Sequence, residues 1–285
     1  MANNLPFEKA IIIGTSMVAF QCTRLLANYL EVEVIEYPDI RYSSLESYCL
    51  ASCIPYSRLS DVELTVYLKK TKQKVLIISA FNTYIFPPEI VNKKNLTIVN
   101  YHNSLLPRYA GRNAEAWVIF MQEKQTGVTW HRINNIIDGG NILGQKVIIL
   151  DQKVTSIQLI KKQHMLSFEL FNELLPFIFD GVPGEKQKEE DLVYYKNAEI
   201  PGNGKIDLEW SMEKTFAFLR ALDYGPLQLF GRPYIIIDGI KYVWKKYKMS
   251  DAKLYKEQKE ISVQNDSIVI SEKGKEIVLQ CVFVE

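Results

Sequence analysis

The chain has 285 residues and a formal net charge of +1, long enough to bury a sizeable core and too evenly balanced to signal a polyanionic partner by composition alone. An apolar share of 47% excludes a disordered polyelectrolyte, and no apolar run of about 18 residues is present to span a membrane. The polar opening, residues 1–9, lacks the basic-then-apolar profile of a secretory signal, so a cytoplasmic protein is expected.

Ala10, Ile11, Ile12 and Ile13 form a short, largely β-branched run ending at Gly14, the pattern of a strand buried in a parallel sheet. Residues 17–30 hold apolar side chains at helical spacing, and residues 32–35 read as a second strand closed by Pro38, which together suggest a right-handed strand–helix–strand unit. A helix is expected over 62–71, a buried strand over 75–78, and a short helix opened by Pro87 and Pro88. The next strand, 97–99, carries Asn100, Tyr101 and His102 at its carboxyl end. A helix over 114–122, strands over 128–133 and 146–150, and a long helix over 155–179, capped by Thr155 or Ser156, complete the first half.

This alternation predicts an α/β domain over residues 1–182, an open and mostly parallel Rossmann-like sheet whose site lies beyond the carboxyl ends of its strands. Residues 183–204 read as a charged, Pro- and Gly-containing linker. Beyond it come a helix over 213–221 and strands over 234–237, 241–244, 261–264, 267–270 and 277–283, with turns at Asn265–Asp266 and Lys273–Gly274. That tail predicts a smaller β-rich, OB-like domain over 205–285.

Chemistry narrows quickly. Cys22, Cys49, Cys53 and Cys281 lack the paired spacing of a metal site and read as free thiols in a reducing compartment. Gly14-Thr15-Ser16 lacks the further glycines of a dinucleotide fingerprint and reads as a plain strand-to-helix turn, which speaks against hydride transfer. Of the three histidines, His164 falls among Lys161, Lys162 and Gln163 and is expected on a solvated helix face, and His131 within a strand is expected to be a packed, structural residue.

His102 differs, because Asn100 stands two residues before it and residues i and i+2 of an extended segment share a side. An amide donor and an imidazole facing one pocket suit a developing oxyanion, with the imidazole also able to relay protons. Asp138, in a loop closed by Gly139 and Gly140, reads either as a simple Asp-Gly turn or as a carboxylate that supports positive charge on His102 and orders a water. In the second reading the glycines let backbone approach a ligand closely.

The run Asn100-Tyr101-His102-Asn103-Ser104-Leu105-Leu106-Pro107, followed by Gly111, resembles the signature of folate-dependent formyltransferases. Thr126 to His131, then Asp138-Gly139-Gly140-Asn141-Ile142-Leu143, resembles that family's second block, in the right order and spacing. The resemblance implies a catalytic trio of Asn100, His102 and Asp138, and 10-formyltetrahydrofolate as formyl donor with no metal. It implies that an uncharged amine attacks the formyl carbon, that Asn100 and protonated His102 hold the oxyanion, and that Asp138 supports the imidazolium and helps to take the amine proton through a water. The segment with Tyr84, Ile85 and Phe86 is similar to the one whose backbone lines the pterin slot, one residue longer than the family pattern, and Asn134, Asn135, Ile137 and Gly140 are expected on the opposite wall. Ser104, Arg108, Gly111 and Arg112 are expected to contact the acceptor, the two arginines flanking the entrance.

Residues 220–226 and the tail resemble the C-terminal domain of the methionyl-tRNA formyltransferase group, in a shorter form. Met-tRNA is the default acceptor for such a layout, but a near-neutral tail offers little to phosphates. The run from Arg108 to Trp117, with Val128-Thr129-Trp130-His131, is closer to formyltransferase regions of nonribosomal peptide and polyketide assembly. The expected acceptor is therefore a small-metabolite or carrier-bound amine, with a nucleotide-linked amino sugar as a third option. The rivals are a formate-releasing hydrolase, which would bring an extra N-terminal regulatory domain, and a folate- or partner-binding protein on the same fold. Oligomeric state is left open.

Overall fold

The structure, a computed structural model, describes residues 5–40, 43–188, 193–227 and 229–285. In chain order its main elements are β1 (Lys9–Gly14), α1 (Ser16–Leu26), β2 (Glu31–Glu36), α2 (Ser44–Ala51), β3 (Tyr56–Arg58), α3 (Asp61–Lys70), β4 (Val75–Ala80), α4 (Pro88–Val91), β5 (Leu96–His102) and β6 (Ala110–Gly111). There follow α5 (Ala114–Phe120), β7 (Gln125–Arg132), β8 (Ile142–Ile149), α6 (Ser156–Phe179), β9 (Tyr194–Tyr195) and α7 (Met212–Ala221). The tail holds β10 (Tyr234–Ile237), β11 (Ile240–Val243), β12 (Lys246–Asp251), β13 (Glu260–Gln264), β14 (Ser267–Glu272), β15 (Lys275–Gln280) and β16 (Phe283–Val284).

The chain folds as two units. The first comprises Met1–Gly111, Gln125–Ile149 and Lys161–Tyr194. Its seven-stranded sheet runs β3-β2-β1-β4-β5-β7-β8, parallel through β5 and antiparallel at β7 and β8. The apolar runs of β1 and β4 divide by parity. Ala10, Ile12, Leu76 and Ile78 pack with Val18, Cys22 and Leu26 of α1 and Phe171 and Ile178 of α6. Ile11, Ile13, Val75 and Ile77 face Leu64 and Leu68 of α3 and Ile90 of α4. Each such side chain taken out of water stabilises by about 1.5–3 kcal/mol, which is why continuous apolar strands occupy the middle of the sheet. Gly14 is the expected turn. A Cβ there would lie 2.1 Å from Ala80 O, so its lack of a side chain serves strand packing.

The second unit comprises Arg112–Lys124, Leu150–Ile160 and Tyr195–Glu285. It draws α5 and the first turn of α6 from within the stretch expected as the catalytic domain. Buried Glu115 of α5 accepts a 2.6 Å hydrogen bond from the Tyr224 hydroxyl, and Ser156 Oγ donates to Ala221 O at 2.6 Å. The tail strands pair antiparallel in two sheets, β10-β11-β16 and β12-β15-β14-β13. β12 alternates lysines and half-buried residues, and β3 is a three-residue edge strand, so neither carried an apolar signal in the sequence. Of the expected linker, residues 189–192 lie outside the described residues, as do residues 1–4 of the polar opening.

All four cysteines are free. Burial pushes the Cys22 thiol up and, with help from Glu36, the Cys49 thiol up to about 11, so neither offers a thiolate at neutral pH. Among the described residues no helix is long and apolar enough to cross a membrane.

His164 departs from the expected solvated face. It is part-buried on the inner side of α6, its ring edge-on to Phe81 at 5.2 Å and to Tyr101 at 6.4 Å, and its Nε2 has no hydrogen-bond partner. The flanking lysines suggested solvent, but buried Gln163 and Ser167 mark the core-facing side of this turn. Burial lowers His164 from 6.5 to about 4. Because the folded value lies below the unfolded one, this group's contribution is complete above about pH 6.5 and drains away as the pH falls toward 4. Urea titrations across that window should show His164→Phe losing less stability than the parent, by on the order of 3 kcal/mol. Equal pH slopes would place the histidine in solvent.

Candidate active site

β5 ends with Asn100 and His102 on one side and Tyr101 turned into the core. Asn100 stands opposite Ser79 on β4 and His131 on β7. Ser79 Oγ donates to Asn100 Oδ1 at 2.6 Å and itself accepts from Asn82 Nδ2 at 3.1 Å, which fixes the amide with Nδ2 toward β7. That Nδ2 lies 3.0 Å from His131 Nε2 and donates to Tyr101 O at 3.1 Å. His102 is buried, and its Nε2 donates to Tyr109 O at 2.7 Å, since a carbonyl can only accept.

Asp138 completes the group. Its Oδ2 lies 3.5 Å from His102 Nδ1, and its Oδ1 lies 3.5 Å from His131 Nε2. Gly111 N–H donates to Oδ2 at 2.8 Å. The backbone here is left-handed, with φ of 54° at Asp138 and 58° at Tyr109, conformations that cost on the order of 1 kcal/mol or more and persist only when their surroundings hold them. Gln187 does that holding, its Nε2 donating to Asp138 O at 2.7 Å and to Gly140 O at 2.6 Å. Burial by itself pushes the Asp138 carboxyl up. The charge of His102, the hydrogen bond and charge of His131 and the Gly111 N–H outweigh it and hold the carboxyl well below the usual carboxylate range. The His131 contribution exists only when its Nε2 carries a proton.

The other expected residues separate into walls and supports. The loop after β4 and the loop after β7 flank the end of β5, because β4 and β7 are its two neighbours. The first turns the Tyr84 and Phe86 rings into the core and leaves Ile85 65% exposed, with Phe81 beside it at 41%. The second is shaped by Asn134, whose Oδ1 accepts from Ile136 N and whose Nδ2 donates to Gly139 O, and it exposes Asn135 and Ile137.

Several expectations are corrected. Gly140 is tight against its own chain, since a Cβ there would lie 1.7 Å from Arg132 O, so the close approach is internal. Ser104 is fully buried and its hydroxyl closes a turn onto Arg108 O at 2.7 Å, out of reach of an acceptor. Gly111 serves Asp138 through its N–H. Arg108 is not among these, since it is exposed and so open to an acceptor; Arg112 opens the second unit, where its N–H donates to Tyr195 O. His131, expected to be merely packed, touches both Asn100 and Asp138. Alternation along β7 was the available signal, but only the register with β5 gives the partner.

The depressed carboxyl has a measurable consequence. Its folded value lies below the unfolded one, so its stabilising contribution is present above about pH 4 and is lost as the pH falls further. Acid-unfolding curves of the parent and Asp138→Asn should differ above that pH and converge below it. Curves that run parallel throughout would mean that the carboxylate carries no such charge pairing.

The formyl transferase family profile matches residues 3–175. GDP-perosamine N-formyltransferase of Brucella melitensis is 33% identical over 167 residues, covering 59% of this chain and 62% of that protein. Methionyl-tRNA formyltransferase of Clostridioides difficile is 28% identical over 281 residues, covering 92% of this chain and 88% of that protein. Among the first curated relatives that it matches, the chain spans 32% to 62% of their length. The crystal structure of WlaRD, a sugar 3N-formyl transferase in the presence of dTDP and 5-N-formyl-THF, superposes with a TM-score of 0.74 at 24% identity, covering 96% of this chain and 97% of that one. A profile that runs through more than half of the sequence and takes in Asn100, His102 and Asp138 identifies the chain as a member of the formyl transferase family.

Proposed function

We propose that this protein transfers a formyl group from a reduced-folate donor to the amine of a nucleotide-linked amino sugar. The observation that carries the reading is the convergence of Asn100, His102 and Asp138 at the carboxyl end of β5, all within the first unit. An amide, an imidazole and a buried carboxylate are the parts that acyl transfer to an amine needs.

The two flanking loops fit a flat, partly apolar donor. Phe81, Ile85, Ile136 and Ile137 are exposed apolar side chains on these loops. 10-Formyltetrahydrofolate would be held by the main chain of residues 84–86 on one wall and by residues 134–140 on the other. When bound, it supplies the formyl carbon as electrophile. Asn100 donates to the negative charge that grows on the formyl oxygen, a role worth about 3–4 kcal/mol in comparable sites, and His102, whose two nitrogens face Tyr109 O and Asp138, meets it with the positive charge of its protonated ring. The acceptor amine attacks uncharged and loses a proton as the new N–C bond forms, Asp138 takes that proton directly or through a water, and the proton goes on to N10 of the folate as its bond to the formyl carbon breaks. The chain's own residues are enough for each of these roles. The four free thiols accord with a reducing, cytoplasmic setting.

An amino-sugar acceptor is supported by the relative named for GDP-perosamine and by the fold shared with a sugar formyltransferase. The relatives reported lend no support to the carrier-bound amino acid that residues 108–117 suggested. The second reading is methionyl-tRNA, favoured by a relative that covers 92% of this chain. Against it stands the tail, residues 205–285, whose basic and acidic side chains nearly cancel, since phosphate contacts draw on basic surface.

Formyl transfer from 10-formyltetrahydrofolate, followed by mass spectrometry over a panel of nucleotide amino sugars and charged initiator tRNA, tests both readings. A mass gain on a sugar nucleotide is expected. Modification of tRNA alone would move the assignment to the second reading, and formate release without an adduct would leave a hydrolase. Asn100→Ala and His102→Ala should each lower kcat by about 100- to 1,000-fold, with the donor KM little changed. A variant that is folded by circular dichroism and turns over at the parent rate would remove that residue from the trio.

A further inference from the structure

His131 lies in β7 directly opposite Asn100, with 1% of its surface exposed. Its Nδ1 is 2.9 Å from Arg132 O. A carbonyl oxygen only accepts, so Nδ1 carries a hydrogen, and in the neutral ring Nε2 keeps a lone pair. The Asn100 amide donates to that lone pair at 3.0 Å. The same Nε2 is 3.5 Å from Asp138 Oδ1.

One nitrogen cannot serve both neighbours at once. Accepting from Asn100 needs the lone pair, and donating to Asp138 needs a proton. While the ring is neutral, both Asn100 amide hydrogens are occupied, one by His131 and one by Tyr101 O at 3.1 Å. A proton on Nε2 repels the facing N–H, gives the ring to Asp138, and leaves Asn100 a hydrogen for an oxygen in the site. Among the described residues, the ionisable group in contact with the His131 ring is Asp138 from the loop after β7, with His102 from β5 across the same carboxylate. Its other polar neighbours, Asn100 and then Ser79, are neutral.

We infer that His131 is a positioning residue of the transfer reaction, holding the Asn100 amide while its ring is neutral and releasing it when Nε2 takes a proton. The inference rests on the formyl-transfer reading. The proton balances without a further reactant. It leaves the acceptor amine as the N–C bond forms, reaches the Asp138 carboxylate, and passes to Nε2, so the oxyanion donor is freed in the same step that creates the charge it must meet; as the bond between the formyl carbon and the folate N10 breaks, the proton returns through Asp138 to N10 and the ring is neutral again.

His131→Gln keeps an acceptor for the Asn100 amide but cannot take up a proton. It should lower kcat about 100-fold while the donor KM stays within about twofold. Combined with Asn100→Ala it should cost nothing more, because the two residues act as one unit. Losses that multiply in the double variant, or a fall confined to KM, would overturn the inference and leave formyl transfer standing. A measurement without turnover separates the two. Nitrogen-15 spectra of the free protein at pH 8 should show His131 protonated on Nδ1 alone, and His131→Leu should shift the Asn100 side-chain amide. A ring protonated on Nε2, or an unmoved Asn100 amide, would overturn the inference whatever acceptor the enzyme takes.

Discussion

The burial of one negative charge organises the first unit. Asp138 is held out of water with a left-handed backbone, and an isolated carboxylate in such a place would simply neutralise. It stays charged because His102 at the end of β5 and the Gly111 N–H from the short strand after it converge on it, and His131 in β7 joins them when its Nε2 carries a proton. Gln187, much later in the sequence, clamps the carbonyls on either side of the same turn. The chemistry and the local architecture therefore share one constraint. Loosening the turn would also disperse the charges around it.

The sheet makes this convergence possible. β4 and β5 run parallel, so the loops at their carboxyl ends open on the same edge. β7 then pairs antiparallel to β5, which brings His131 level with Asn100 and sends the following loop back toward the same opening. A further parallel strand would have placed that loop only by a long crossover connection. The reversal of direction after β5 is what allows a carboxylate only 36 residues after His102 to reach it.

Much of this was legible in the sequence. β1 and β4 are continuous apolar runs, and a strand buried on both faces leaves that trace. Asn100 and His102 could be paired by period two alone, and Asp138 by its place in the second family block. What escaped depended on relations between segments. His131 takes its meaning from a cross-strand register, and register is not written in any one strand. Ser104 looked like an acceptor contact because it stands beside the site in sequence, yet its hydroxyl is spent on Arg108 O. His164 was misplaced because charged neighbours in the chain are not neighbours across a helix, where residues three and four apart share a face.

The division of the chain carries a consequence for how such a protein can be cut or recombined. The second unit does not begin at the expected linker. It takes Arg112–Lys124 and Leu150–Ile160 from inside the first half, and α6 passes from one unit into the other. Removing everything after residue 204 would leave Glu115 buried in α5 without the Tyr224 hydroxyl that satisfies it, and Ser156 without Ala221. A terminal exchange of tails would have to carry compensating changes in α5 and at the start of α6. The tail and these two inner segments are expected to vary together as a single inherited block.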